Sequence, residues 1–207
     1  MPSESFTNLP EEKQHRIINA AMNVFIEDGF DKTSTNSIVK EAHISKGSLF
    51  HYFGTKKDLY LYIVDLSIEQ TNELYDLIDL KERDFFKRID NIVKVKYDYQ
   101  NRYPLLNEFI LASLREQSTE VAPTIQPIYA KITQDSLAIT FENIDWSLFK
   151  PEIDQQKAME IIQWTLDGLG KKLLATAAPM TDLSEEAIKE WKEYSKILRS
   201  SFYTSSN

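Results

Sequence analysis

Cysteine is absent from the 207 residues, which excludes disulfides, thiolate nucleophiles and cysteine-ligated zinc. Histidine is nearly absent: His15, His43 and His51 are the only copies, so residues 61–207 contain no imidazole. A His-based triad and the common zinc sites therefore cannot be assembled from that stretch. Glycine is scarce at five copies, and neither a G-x-G-x-x-G nor a P-loop occurs. Gly168-Leu169-Gly170 is a G-x-G fragment inside a helical pattern and binds no phosphate on that basis. No run approaches the about 18 uncharged apolar residues of a membrane helix. The opening MPSESFTNLPEEK lacks the basic start and apolar stretch of a signal peptide. A cytoplasmic, non-enzymatic protein without metal or cofactor is expected.

Positive charge is also in deficit, with a net charge of −8. Its distribution matters more than its sum. Residues 1–60 hold seven Lys/Arg against eight Asp/Glu, while residues 61–207 hold 17 against 24. Between Lys32 and Lys57 stand five lysines and one acid, Glu41. A phosphate-facing patch needs local charge, and an acidic remainder weakens non-specific DNA affinity without abolishing a specific site.

The apolar residues that are present, 42% of the chain, recur at helical spacing and predict an all-α protein of about nine helices. Pro10-Glu11-Glu12 opens the first, which carries Ile17, Ala21, Val24 and Phe25 and stops at Gly29, with Phe30 folding back. Ser34 caps a short second helix and Ser45 a third, Lys46–Phe53. Thr55 and Asp58 form a capping box for a fourth, running to about Leu77. Five more are expected, at Asp84–Arg102, Leu105–Glu116, Pro127–Asn143, Asp154–Ala178 and from Ser184 onward.

The second and third helices are each too short to hold in water alone, so they must pack on the first. Ile38, Ala42, Ile44, Leu49 and Phe53 are suited to that packing. Lys46, Gly47, Ser48, Phe50, His51 and Tyr52 are left for the outer surface. A helix of this size fits the DNA major groove with its N-terminal residues at the base edges, and Gly47 removes bulk where a groove must come close.

The run Ala42-His43-Ile44-Ser45-Lys46-Gly47-Ser48-Leu49-Phe50-His51-Tyr52-Phe53, followed by Gly54-Thr55-Lys56-Lys57-Asp58-Leu59, resembles the helix-turn-helix signature of the TetR family. Ala20-Ala21 with Phe25, Gly29-Phe30 and Thr33-Ser34-Thr35 extend the likeness over about residues 10–60. His43 stands where the family usually has glycine; histidine tolerates the left-handed conformation expected there better than most residues, so slight strain is expected and not a different fold. The resemblance implies a helix-turn-helix at about 34–53 inside a DNA-binding domain over 1–56, and a ligand-binding and dimerisation domain over 57–207. It implies that Thr35 and Asn36 touch phosphate or a base, that Lys46, Gly47, Ser48, Phe50 and His51 enter the major groove, and that Tyr52 and Lys56 hold the backbone.

For the second domain, Tyr97, Tyr103, Phe109, Tyr129, Phe141 and Trp164 are candidate walls of an effector pocket. Glu108 and Asp167, flanked by apolar residues, fit a cationic ligand and the aromatics a lipophilic or acyl one; the sequence leaves both open. The Asp154–Ala178 helix is apolar on more than one face, which predicts burial against a second subunit. Ile162, Leu166, Leu169, Gly170, Leu173, Trp191, Leu198 and Phe202 are the expected interface. The implied function is a repressor that binds a palindromic operator as a homodimer and is released by a small apolar or aromatic ligand. The alternative is a helical ligand-binding or protein-interaction module that keeps the head without using it.

Overall fold

Ten α-helices and one 3-10 turn follow one another among the described residues, 2–175 and 180–204 of this computed structural model. The side chains of residues 100, 137, 173, 174, 180–184 and 187 lie outside that description. The helices are α1 (Glu4–Thr7), α2 (Glu11–Lys32), α3 (Thr35–Ala42), α4 (Lys46–Phe53), α5 (Lys56–Asp76), α6 (Phe85–Arg102), α7 (Pro104–Leu114), α8 (Ala122–Phe141), α9 (Gln155–Ala175) and α10 (Met180–Phe202). No strand forms among the described residues; Phe149 and Tyr203 make a single antiparallel bridge. None of the described helices is long and apolar enough to cross a membrane.

Two elements depart from the sequence expectation. Helix α1 has four residues and no periodicity to announce it. It exists because Phe6 is buried against Phe53 at 4.6 Å and against Tyr52 and Tyr62 at 5.9 Å each. Tertiary burial here overrides the cost of nucleating a single turn. Helix α8 starts five residues before Pro127 and carries that proline inside it. Val121, Ala122, Ile125 and Tyr129 are buried along this turn, and their burial outweighs the one hydrogen bond that Pro127 cannot donate.

The chain divides into two compact units, Met1–Glu73 with Tyr103–Lys131, and Leu74–Arg102 with Ile132–Asn207. In the first, α2 packs on α3 and α7 through Ile17, Ala21, Phe25, Ile38 and Phe109. In the second, Phe85, Phe86, Ile89, Phe149, Ala158, Ile162 and Trp191 form the centre of the core. Arg88 lies fully buried within that unit. Its guanidinium donates to the carbonyls of Leu80 (2.9 Å) and Glu82 (2.8 Å) on one side and of Ile139, Thr140 and Glu142 on the other. Asp84 caps α6 by accepting from the Phe86 N–H at 3.1 Å, and binds Arg199 and the Tyr203 hydroxyl.

Candidate nucleic-acid interface

The helix-turn-helix is built from local hydrogen bonds that its sequence specifies. The Ser34 hydroxyl accepts from the Asn36 N–H at 3.2 Å and starts α3. His43 ends it in the left-handed region, φ 51° and ψ 48°. The Ser45 hydroxyl then accepts from the Ser48 N–H at 3.0 Å and starts α4. Thr55 and Asp58 cap α5 reciprocally, at 3.0 and 3.1 Å. Arg16 of α2 donates to the Ala42 carbonyl at 3.2 Å, fixing the turn to the supporting helix. Ile38, Ala42, Leu49 and Phe53 are buried against it, and Ile44 is half-buried.

What this packing leaves outside is the outer face of α4. Lys46, Gly47, Phe50 and His51 are exposed, Phe50 to 41%; Asn36 is exposed, and Thr35 and Ser48 are half-buried. Lys46 has no ion-pair partner among the described residues, so its charge is available to an external anion. Gly47 has no internal reason to be glycine: its backbone is helical, and an added Cβ would meet only the Ser45 hydroxyl at an ordinary 3.8 Å. A helical glycine costs up to about 1 kcal/mol relative to alanine, and the packing of the chain itself supplies nothing that offsets this at Gly47.

Two expected contact residues are placed differently. Tyr52 is 9% exposed and not free on the surface. The unforeseen α1 covers it: Phe6 packs on its ring, and the Ser3 N–H donates to its carbonyl at 2.8 Å. Ser5 of the same segment lies 2.9 Å from His51 Nε2, leaving the imidazole at the surface but held. The Lys56 ammonium turns back onto the end of α2, donating to the carbonyls of Phe30 (2.7 Å) and Thr33 (3.1 Å) and lying 4.3 Å from the Phe30 ring centre. A cation is favoured at the negative end of a helix, and that local pull occupies the charge.

The same α2 end carries residues that sequence reading passed over. At Gly29, φ is 69°, and the chain turns so that Phe30 stacks on Phe25. Glu116, after α7, accepts from the Phe30 N–H at 2.8 Å, and Ser118 donates to Asp31 at 2.5 Å. With partners more than 80 positions apart, no local signal marks this clasp.

The six candidate pocket aromatics do not converge. Phe109 and Tyr129 are buried core of the first unit, with the Tyr129 hydroxyl 2.6 Å from that of Ser113. Burial pushes the Tyr129 phenol up, the Ser113 bond partly opposing it. Phe141 stacks on Phe85 at 5.0 Å, Tyr97 meets Glu185 at 3.5 Å, and Trp164 is 66% exposed. Tyr103 alone of the six lines a cavity of 420 Å³ in the first unit, with Phe6, Met22, Tyr62 and Leu66.

The expected interface residues lie mostly in or against the second unit's own core. Ile162, Trp191 and Phe202 are buried in the second unit's own core, Trp191 donating to Asp90 at 3.0 Å, and Leu166, Leu169 and Leu198 pack against that core. The side chain of Leu173 lies outside the described residues. Among the described residues, the large apolar side chains left exposed on α9 and α10 are Ile161, Trp164, Tyr194 and Ile197. Trp164 and Tyr194 border one shallow recess with Gly168, Lys172 and Glu190, the last two forming an ion pair. A Cβ at Gly168 or Gly170 would meet nothing within 4 Å.

The family of bacterial regulatory proteins described as the tetR family matches residues 17–63, which take in α3 and α4 entire. The chain is 30% identical over 146 residues to the HTH-type transcriptional regulator YuxN of Bacillus subtilis, covering 65% of this chain and 45% of that protein. It is 30% identical over 95 residues to IcaR of Staphylococcus aureus, named the negative transcriptional regulator of the biofilm operon icaADBC, covering 46% of this chain and 44% of that one. The chain thus spans about half the length of these relatives. A TetR family transcriptional regulator from Chloroflexus aurantiacus has the same fold over 99% of both chains, with a TM-score of 0.66 and 25% identity. With the capped helix-turn-helix, the left-handed turn and the exposed α4 face in place, residues 17–63 match the tetR family of bacterial regulatory proteins, and the chain as a whole resembles TetR family transcriptional regulators in fold.

Proposed function

We propose that the chain is a cytoplasmic, effector-released repressor that binds a palindromic DNA operator as a homodimer. The observation that carries this reading is the outer face of α4, where Lys46, Gly47, Ser48, Phe50 and His51 surround a glycine that nothing inside the chain requires. Lys46 at the positive end of α4 meets phosphate or a guanine edge, and Thr35 and Asn36 at the start of α3 meet the backbone. Tyr52 and Lys56 act one step behind, Tyr52 through the position of α4 and Lys56 through the end of α2 beneath α5. Residues 1–56 then read DNA, and 57–207 bind effector and partner. The exposed Ile161, Trp164, Tyr194 and Ile197 are the proposed contact with the second subunit, closing over Gly168 and Gly170.

Gel shifts on the DNA upstream of the chain's own gene test the reading. Saturable binding to a palindrome is expected. It should weaken roughly tenfold in Lys46→Ala, with the salt slope lowered by about one, as for loss of a phosphate contact. Binding left unchanged by both Lys46→Ala and His51→Ala would remove α4 from the interface. Gly47→Ala separates folding from reading. It is expected to raise thermal stability by about 0.5 kcal/mol, because the added methyl fits, while lowering operator affinity at least fivefold. A Gly47→Ala protein that binds DNA as well as the original shows that no groove approaches this position.

A further inference from the structure

The cavity of 420 Å³ between α1, α2, α5 and α7 belongs wholly to the first unit, beside the helix-turn-helix. Its volume falls in the range of small-molecule sites, roughly 300–1,000 Å³. Phe6, Ile18 and Met22 form one wall, Tyr62 and Leu66 a second, and Leu105 of α7 a third. None of its lining residues is Asp, Glu, Lys or Arg. A cationic guest would find no carboxylate there and an anionic one no ammonium or guanidinium, so each would lose hydration without compensation. Six lining residues are polar; of these His15 and Asn19 are exposed, with His15 3.7 Å from Glu11, and most of the others are committed. Gln14 donates to the Thr7 and Leu9 carbonyls, and Gln70 and Tyr103 have partners of their own. Among the lining polar groups that are not exposed, Tyr62 differs: its half-buried phenol has no hydrogen-bond partner among the described residues.

Two of these walls touch the recognition helix. Phe6 lies 4.6 Å from Phe53 at the end of α4, Tyr62 lies 5.8 Å from the same ring, and Phe6 also packs on Tyr52. The segment carrying Phe6 holds α4 through Ser3 to the Tyr52 carbonyl and Ser5 to His51. We infer that this cavity is an effector site for a neutral, mainly apolar small molecule that hydrogen-bonds Tyr62, and that its occupancy is felt at α4 through Phe6 and α1. The inference rests on the proposal that the chain is an effector-controlled regulator; it names the chemistry of one effector and extends effector binding from residues 57–207 to α1 and α2. A guest that displaces Phe6 loosens the strap over Tyr52 and His51 and so favours a poorly reading α4, by as much as its affinity differs between the two states.

The neutral dye N-phenyl-1-naphthylamine, titrated into the full-length protein, is the probe. Saturable fluorescence enhancement at one dye per chain is expected. Leu66→Trp, which fills the cavity, should weaken it at least tenfold, and Tyr62→Phe about threefold. Non-saturable enhancement, or binding unchanged in a Leu66→Trp protein that still melts cooperatively, overturns the site. Should Leu66→Trp not fold, Leu105→Trp on the half-buried α7 wall decides by the same criterion. Dye should also lower affinity for the upstream DNA in the original protein but not in the filled variant; unchanged DNA affinity at saturating dye overturns the link to α4. A protein that binds dye in this cavity and no DNA at all supports the site while defeating the regulator reading.

Discussion

Replacing Arg88 by methionine is expected to destabilise the protein by about 3–5 kcal/mol, read as a fall in the urea midpoint or loss of a cooperative transition. The cause is specific. The guanidinium is fully buried and serves five carbonyls from two segments, the 80–82 turn before α6 and the C-terminal end of α8. No carboxylate among the described residues lies within ion-pairing distance of Arg88; carbonyl dipoles, including the negative end of α8, hold the charge directly, with Glu82, Glu142 and Asp79 favouring it from further off. Methionine keeps much of the stem volume but leaves those carbonyls without a donor, at about 1–3 kcal/mol for each one that water cannot reach. Against a total stability of roughly 5–15 kcal/mol, this removes a large share. Arg88→Lys should rescue little, since one ammonium cannot face both segments as a planar fork does. A methionine variant that melts within about 1 kcal/mol of the original shows that water replaces the guanidinium.

The reading head was legible in the sequence because its signals are short-range. Ser34, His43, Ser45 and the Thr55/Asp58 pair each act within four residues, and each forms the cap or turn expected of it. Helix α1 was not legible, since a single turn has no period and Phe6 declares itself only against Phe53 and Tyr62. Tyr52 was misplaced for the same reason: the segment that covers it had not been foreseen. The 420 Å³ cavity escaped because Phe6 and Leu105 are brought together by folding alone. Aromatic content could not say which rings face a hollow and which face one another, and most of the six rings are core or surface. The proposed subunit contact differs from the expected interface by one step of helix rotation. Ile161 and Ile162 are adjacent, yet the first is exposed and the second fully buried. On a helix with two apolar faces, periodicity cannot say which meets the chain's own core.

That one-step difference makes the subunit contact testable with few variants. Among the described residues, Trp164 and Ile197 are the most exposed large apolar residues of α9 and α10, at 66% and 61%. The double variant Trp164→Glu/Ile197→Glu should fold normally, because neither side chain belongs to the buried core. By sedimentation at micromolar concentration it should run as a monomer of 24.1 kDa, where the original runs at twice that. Four acids brought together across a two-fold axis repel, and an interface of about 800 Å² per subunit cannot hold with its central rings removed. Ile162→Glu is the contrasting control: the same charge placed one residue along α9 enters the core and should unfold the second unit instead of splitting a dimer. Operator affinity of the monomeric double variant should fall by about 10²–10⁴, since the second head no longer binds at the effective concentration its partner provides. A double variant that remains dimeric moves the contact off this face. One that is monomeric yet binds the palindrome undiminished shows that each head reads its half-site alone.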